Sequence, residues 1–208
     1  MSTKNRPTPS KRRLRGITPG QVFLNVPYNP SYERTLLALT AALVAVGRVP
    51  RLTFQLPDGG QGRLQRIFEL LRSCRVSIHD LSAVGLPVRF NMPFELGLAC
   101  ALKEQTARHD FMVLDRRAHR LDRHLSDLKG VDAKIHHGTV RGAICAILES
   151  LDKPAGNPTA AEVVKLYRRM RRFVPLLKKR HGNRGLFSAR VYGELVALGF
   201  ETARAMRL

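Results

Sequence analysis

Residues 75–115 read RVSIHDLSAVGLPVRFNMPFELGLACALKEQTARHDFMVLD, and the succession of patterns in them decides the fold class. RVSIHDL (75–81) is a short apolar-rich run closed by turn-forming residues, which predicts a buried strand. A loop follows, and then Pro93, whose fixed φ and missing N–H suit the first positions of a helix. The apolar stretch behind it predicts a helix over 93–103. FMVLD (111–115) predicts the next strand. A strand, a helix and a strand of these lengths close as a right-handed crossover between parallel strands. The expectation is therefore a parallel sheet covered by helices on both faces.

The same alternation extends outward in both directions. Upstream, Val22–Pro27 predicts a buried strand, and Asn29-Pro30-Ser31 supplies turn chemistry before a helix. Ser31 suits the N-cap of that helix, Glu33 its first turn and Gly47 its stop. The helix is apolar around most of its circumference, so it is either core or a self-association surface that makes a homo-oligomer. A second strand is predicted near 51–56, a glycine-rich loop over PDGGQG, and a helix over 63–73 with Leu64, Ile67, Phe68 and Leu71 on one face. Downstream of 115 come a polar basic loop, a short DAKIHH segment and a helix over 139–151. KPAGNP (153–158) has linker composition, and basic helices are predicted over 160–180 and 188–198. Residues 1–19 are polar, basic and proline-containing, as in a disordered arm. The expected organisation is thus an arm (1–19), an α/β domain (20–152) and a small basic helical appendage (158–208).

Composition bounds the function classes. The chain of 208 residues is 44% hydrophobic and 25% charged, as in globular proteins. No apolar run approaches the roughly 18 residues of a transmembrane helix, and the basic N-terminus lacks the apolar core of a secretory signal. No membrane partner is expected. Cys74, Cys100 and Cys145 form no C-x-x-C pair, which argues against a zinc site or disulfide framework and for a reducing, cytoplasmic setting. The net charge of +20 divides into +6 over 1–20, +5 over 21–150 and +9 over 151–208. The excess sits at the two ends, where it supports weak nonspecific binding of nucleic acid.

In open α/β sheets ligands gather beyond the carboxyl ends of the strands. Two carboxylates fall there, Asp80 at the end of one strand and Glu95 in the first turn of the next helix. Glu95 is the only ionisable residue in FELGLACAL (94–102), a segment apolar on all sides and so expected to be mostly buried. It serves either as a functional carboxylate or as an acid capping its own helix. Asp80 has a parallel alternative, organising a turn with Ser82. His79 alternates with Asp80 and points to the opposite face. Asn91 suits an N-cap, Asp127 either reaches the same rim or caps a local turn, and Asn25 and Tyr28 lie at the end of the first strand on that rim. Arg89, beside a helix N-terminus, suits a phosphate-bearing ligand or is an exposed loop charge. No G-x-G-x-x-G and no P-loop is present, and no metal site or bound cofactor is expected.

Asp80-Leu81-Ser82, Asn91 and Phe94-Glu95-Leu96-Gly97-Leu98-Ala99 together resemble the nucleoside 2-deoxyribosyltransferase-like and TIR-like proteins of bacteria. The opening VFLNVPYNPSYERTLLALTAAL is similar to the first strand and helix of that superfamily, and the resemblance spans about 21–151. It implies a three-layer α/β fold of the flavodoxin-like or TIR-like kind. It also implies a ribosyl-containing ligand: a nucleoside, a nucleotide, or NAD as substrate. The residue matching Glu95 is the nucleophile in deoxyribosyltransferases, and an acid matching Asp80 helps bind the base. Asn25, Tyr28, Ser82, Arg89 and Asn91 would then bind substrate. The loop AVGLPVRFNMP lacks the acidic, glycine-rich pattern of true deoxyribosyltransferases, which leaves hydrolysis and non-catalytic nucleotide sensing open beside transfer. A role in bacterial defence or signalling, with the C-terminal helices contacting a partner, follows by analogy only.

Overall fold

The computed structural model describes residues 20–56, 60, 62–83, 90–119, 121, 125–128, 130–153 and 156–208. The expected arm (1–19), Arg89 and most of the PDGGQG loop lie outside the described residues. Among the described residues, five strands form one sheet: β1 (Gln21–Asn25), β2 (Val49–Arg51), β3 (Val76–Asp80), β4 (Asp110–Asp115) and β5 (Lys134–Ile135). Their order is β2-β1-β3-β4-β5 and every pair is parallel. This is the flavodoxin-like order, in which the chain reverses direction across the sheet between β1 and β3. The three-layer α/β architecture expected from the strand–helix alternation is the one that forms.

Strand alternation sorts the side chains between two faces. Val22 and Leu24 of β1, Val76 and Ile78 of β3 and Leu114 of β4 face α1 (Glu33–Ala45) and the later helix Val140–Leu148. On the other face Phe23 packs with Ile67, Leu70 and Leu71 of α2 (Arg63–Ser73) and with Ala99 of α3 (Asn91–Gln105). Val113 of β4 packs there with Met92 and Leu96 of α3. We number Val140–Leu148 as α4, and the two C-terminal helices as α5 (Ala160–Arg180) and α6 (Ala189–Ala205).

The C-terminal helices explain why α1 is apolar all round. Ten consecutive residues, Leu36 to Ala45, are buried. One side of α1 faces the sheet, and Leu166, Tyr167 and Met170 of α5 with Tyr192 and Leu195 of α6 belong to the same hydrophobic cluster. Each leucine buried this way contributes about 1.5–3 kcal/mol, and α1 carries four of them, Leu36, Leu37, Leu39 and Leu43. The one hydroxyl inside the stretch is satisfied: Thr40 donates to the Leu36 carbonyl at 2.8 Å and shares a 2.8 Å hydrogen bond with the Tyr192 hydroxyl. No helix among the described residues is long and apolar enough to cross a membrane.

Several local expectations are corrected. β2 spans Val49–Arg51 rather than 51–56, because only three of its residues pair with β1. Thr53–Gln55 instead form a 3-10 turn, fastened to the Tyr28 hydroxyl, which accepts the Thr53 N–H at 3.2 Å and shares a 2.6 Å hydrogen bond with the Thr53 hydroxyl. Asn29, not Ser31, caps the turn that leads into α1, its Oδ1 accepting the Ser31 N–H at 3.0 Å. Asn91 is the first residue of α3 and not its N-cap, since the Phe94 N–H already donates to Phe90 O. Nor is α3 mostly buried: it buries Met92, Glu95, Leu96 and Ala99, while Phe94 is 56% and the preceding Phe90 76% exposed. Leu64 is also exposed, off the buried face of α2. Helix α6 continues past Leu198 to Ala205, because Gly199 is used for close packing on the Met170 side chain rather than as a stop.

Candidate functional site

Register brings Asn25 beside His79 at the carboxyl ends of β1 and β3, where the strand order reverses and where open α/β sheets bind ligands. Both side chains point to the α2/α3 face, where α3 presents Glu95. Glu95 is 2% exposed. Its Oε1 accepts a hydrogen bond from Arg63 Nη2 at 3.1 Å, an ion pair whose arginine is 45% exposed. Its Oε2 is buried and has no hydrogen-bond partner among the described residues. Burial raises the Glu95 carboxyl above its ordinary value, and Arg63 and then the nearby Asn25 amide draw it part of the way back. The Arg63 guanidinium also lies 5.4 Å from the centre of the Tyr28 ring. Glu95, Arg63, Asn25 and Tyr28 therefore make one group at the switch point.

Behind Asn25 runs a buried hydrogen-bond chain whose direction is fixed at its far end. The Cys74 carbonyl can only accept, so His109 Nδ1, 2.9 Å away, carries a proton. Burial lowers the pKa of His109 and pushes His79 down to about 3, so both rings are neutral near pH 7. His109 Nε2 must then accept from the Ser77 hydroxyl at 2.9 Å, and Ser77 Oγ must accept from His79 Nε2 at 2.9 Å. His79 Nδ1 is left as an acceptor for the Asn25 amide at 3.1 Å. The chain thus holds Asn25 with its NH2 group inward, beside Glu95.

Asp80 sits on the opposite face of β3, as strand alternation predicts. It is fully buried, and its carboxylate is occupied by protein groups. Oδ2 accepts from the Tyr32 hydroxyl and lies 3.1 Å from His136 Nε2, and Oδ1 accepts the Ser82 N–H at 2.8 Å. Ser82 Oγ is also 2.7 Å from His136 Nε2. The Gly138 N–H donates to His136 Nδ1, so the ring proton sits on Nε2, facing Asp80 and Ser82. This network ties the loops after β1, β3 and β5 together. Asp80 and Ser82 make the turn weighed from their sequence, and they share no hydrogen bond or ion pair with Glu95.

Of the residues singled out by sequence, Asn25, Tyr28 and Glu95 come together, while Asp80 and Ser82 form a second buried cluster. Asn91 is exposed at the start of α3, Asp127 lies in a short 3-10 turn, and Arg89 lies outside the described residues. Sequence reading missed Arg63, His109, Tyr32 and His136. Arg63 had a usable signal, as the first residue of a helix that follows a rim loop. His136 had only its place just after a two-residue strand, which no pattern distinguishes. Among the described residues no cluster of three or more metal-ligating side chains occurs. Comparison with family models, curated proteins and solved structures found no match to the chain.

Proposed function

We propose that the chain cleaves or transfers an N-glycosidic bond of a nucleoside, a nucleotide or NAD, with Glu95 at the anomeric carbon. The observation that supports this most is Glu95 Oε2, beside the switch point of the sheet, a buried carboxylate oxygen that accepts no close hydrogen bond among the described residues and has the Asn25 amide near its carboxyl. Leaving such a group unmet costs about 1–3 kcal/mol, and a ligand that meets it recovers that cost. The resemblance of 80–82, 91 and 94–99 to deoxyribosyltransferase-like and TIR-like proteins supports the same reaction class.

In this reading the C1′–N bond breaks with its electron pair leaving on the base; a nucleobase takes up a proton, whereas the pyridinium of NAD leaves as neutral nicotinamide without one. The Glu95 carboxylate balances the positive charge that develops on C1′ and the ring oxygen, or bonds to C1′ as a nucleophile. Water then adds at C1′ and loses a proton in hydrolysis; a second base adds there in transfer. Arg63 favours the ionised form of Glu95, and Asn25 and Tyr28 border the sugar. Asp80, held by Tyr32, Ser82 and His136, shapes the loop after β3.

A second reading, non-catalytic nucleotide sensing, is favoured by one observation. With Asp80 occupied, no second carboxylate accompanies Glu95 among the described residues. Incubating the protein with NAD and a panel of nucleosides and deoxynucleosides separates the two. Chromatography would detect free base, and calorimetry would detect binding. Base release from at least one compound is expected. Binding without release selects sensing, and neither binding nor release rejects both readings.

A further inference from the structure

A cavity of about 750 Å³ adjoins the Glu95 group through its aromatic residues. Phe54 and Phe187 line it, and both rings pack on Tyr28, at 5.3 and 5.5 Å between centres. Arg180, Arg184, Arg190 and His181 supply the rest of its chemistry. Glu194 engages Arg180 and His181. Arg184 and Arg190 have no acidic partner among the described residues.

The placement of Arg190 is the informative detail. It is the second residue of α6, where the helix dipole disfavours a cation, and the first turn of α6 contains no acid. Ser188 at the N-cap makes no side-chain hydrogen bond to that turn. Cationic side chains and a helix N-terminus without a side-chain cap therefore converge on one wall, where Glu194 meets Arg180 and His181 and leaves the exposed Arg184 and Arg190 without an acidic partner among the described residues. A bound anion relieves that repulsion and meets both the guanidinium groups and the helix end.

We infer that this cavity is a phosphate-binding subsite, so that the ligand is a nucleotide rather than a bare nucleoside. The inference rests on reading Glu95 as the ribosyl-facing group, with Tyr28 beside Arg63 on one side and packed against the cavity-lining rings of Phe54 and Phe187 on the other. Nucleotide phosphate fits better than a nucleic-acid backbone for a geometric reason. Phe54 and Phe187 are part-buried and locked among Tyr28 and Tyr192, so they do not offer the exposed stacking platform that single strands use.

Calorimetry at low salt with pyrophosphate, ADP and a short oligothymidylate tests this. The proteins compared are wild type, Arg184→Gln/Arg190→Gln, Glu95→Gln and a control, Arg168→Gln/Arg171→Gln, that removes two exposed charges from α5. Pyrophosphate and ADP are expected to bind wild type and the control alike, and to bind the Arg184/Arg190 variant about tenfold or more weakly. Thermal melting checks that each variant is folded. No pyrophosphate binding, an equal loss in the control, or tighter binding of oligothymidylate than of ADP overturns the inference. Pyrophosphate binding that survives in Glu95→Gln, with no base release by wild type from any compound, keeps the subsite and rejects the Glu95 reading. Base release by wild type without pyrophosphate binding does the reverse.

Discussion

Glu95 and the histidines behind it respond to pH with opposite signs. The Glu95 carboxyl is raised by burial, so the folded state binds its proton better than the unfolded state does. Its stabilisation is complete below the unfolded value, about 4.3, and is lost as pH rises through the folded value. Replacing it by Gln removes that penalty. Glu95→Gln is therefore expected to melt higher than wild type at pH 7–8, by about 0.5–2 kcal/mol, with the gap closing toward pH 4. His79 and His109 are lowered by burial, so their contribution is present above about 6.5 and is lost as pH falls, for His79 through about 3. Long-range nitrogen–proton NMR should find the proton of His79 on Nε2 and that of His109 on Nδ1, with the His79 ring uncharged at pH 6. Matching tautomers, or a His79 that titrates near pH 6.5, would break the directed chain that orients Asn25.

The elements themselves were largely legible. Helices 63–73 and 160–180 follow from periodicity and end chemistry, and Thr159 closes a capping box with Glu162 that fixes the start of α5. What escaped was set by tertiary contact. The short β2 depends on how far β1 can pair with it, and the length of α6 depends on Gly199 meeting Met170. Gly142 in α4 is a third case. A Cβ there would sit 2.2 Å from the His136 carbonyl oxygen, a backbone atom that cannot swing aside. Gly142→Ala is expected to destabilise by about 1–3 kcal/mol, measured by urea unfolding, and to disturb the His136 ring resonances. A variant as stable as wild type would show that the turn from β5 into α4 is not tightly seated.

For the molecule as a whole, the fold class was readable from alternation, but the role of the C-terminal helices was not. A basic amphipathic helix looks the same whether its apolar stripe meets a partner or its own domain. The structure puts α5 and α6 against α1, in one cluster with the sheet. Deleting residues 158–208 is accordingly expected to yield insoluble or unfolded protein, judged by soluble expression and circular dichroism. A soluble, cooperatively melting 1–157 fragment would contradict this. Half of the candidate site was legible too. Glu95 stood out as the only ionisable residue in 94–102, and Asn25 and Tyr28 because they end a strand. The grouping with Arg63, and the separation of Asp80, needed the register between β1 and β3. The central claim is that Glu95 acts on a ribosyl ligand, and base release by wild type and Glu95→Gln, compared on NAD and the nucleoside panel, tests it most directly. Release by wild type and a loss of about a hundredfold or more in the folded Glu95→Gln protein is the expected result; equal release by the two proteins would contradict it.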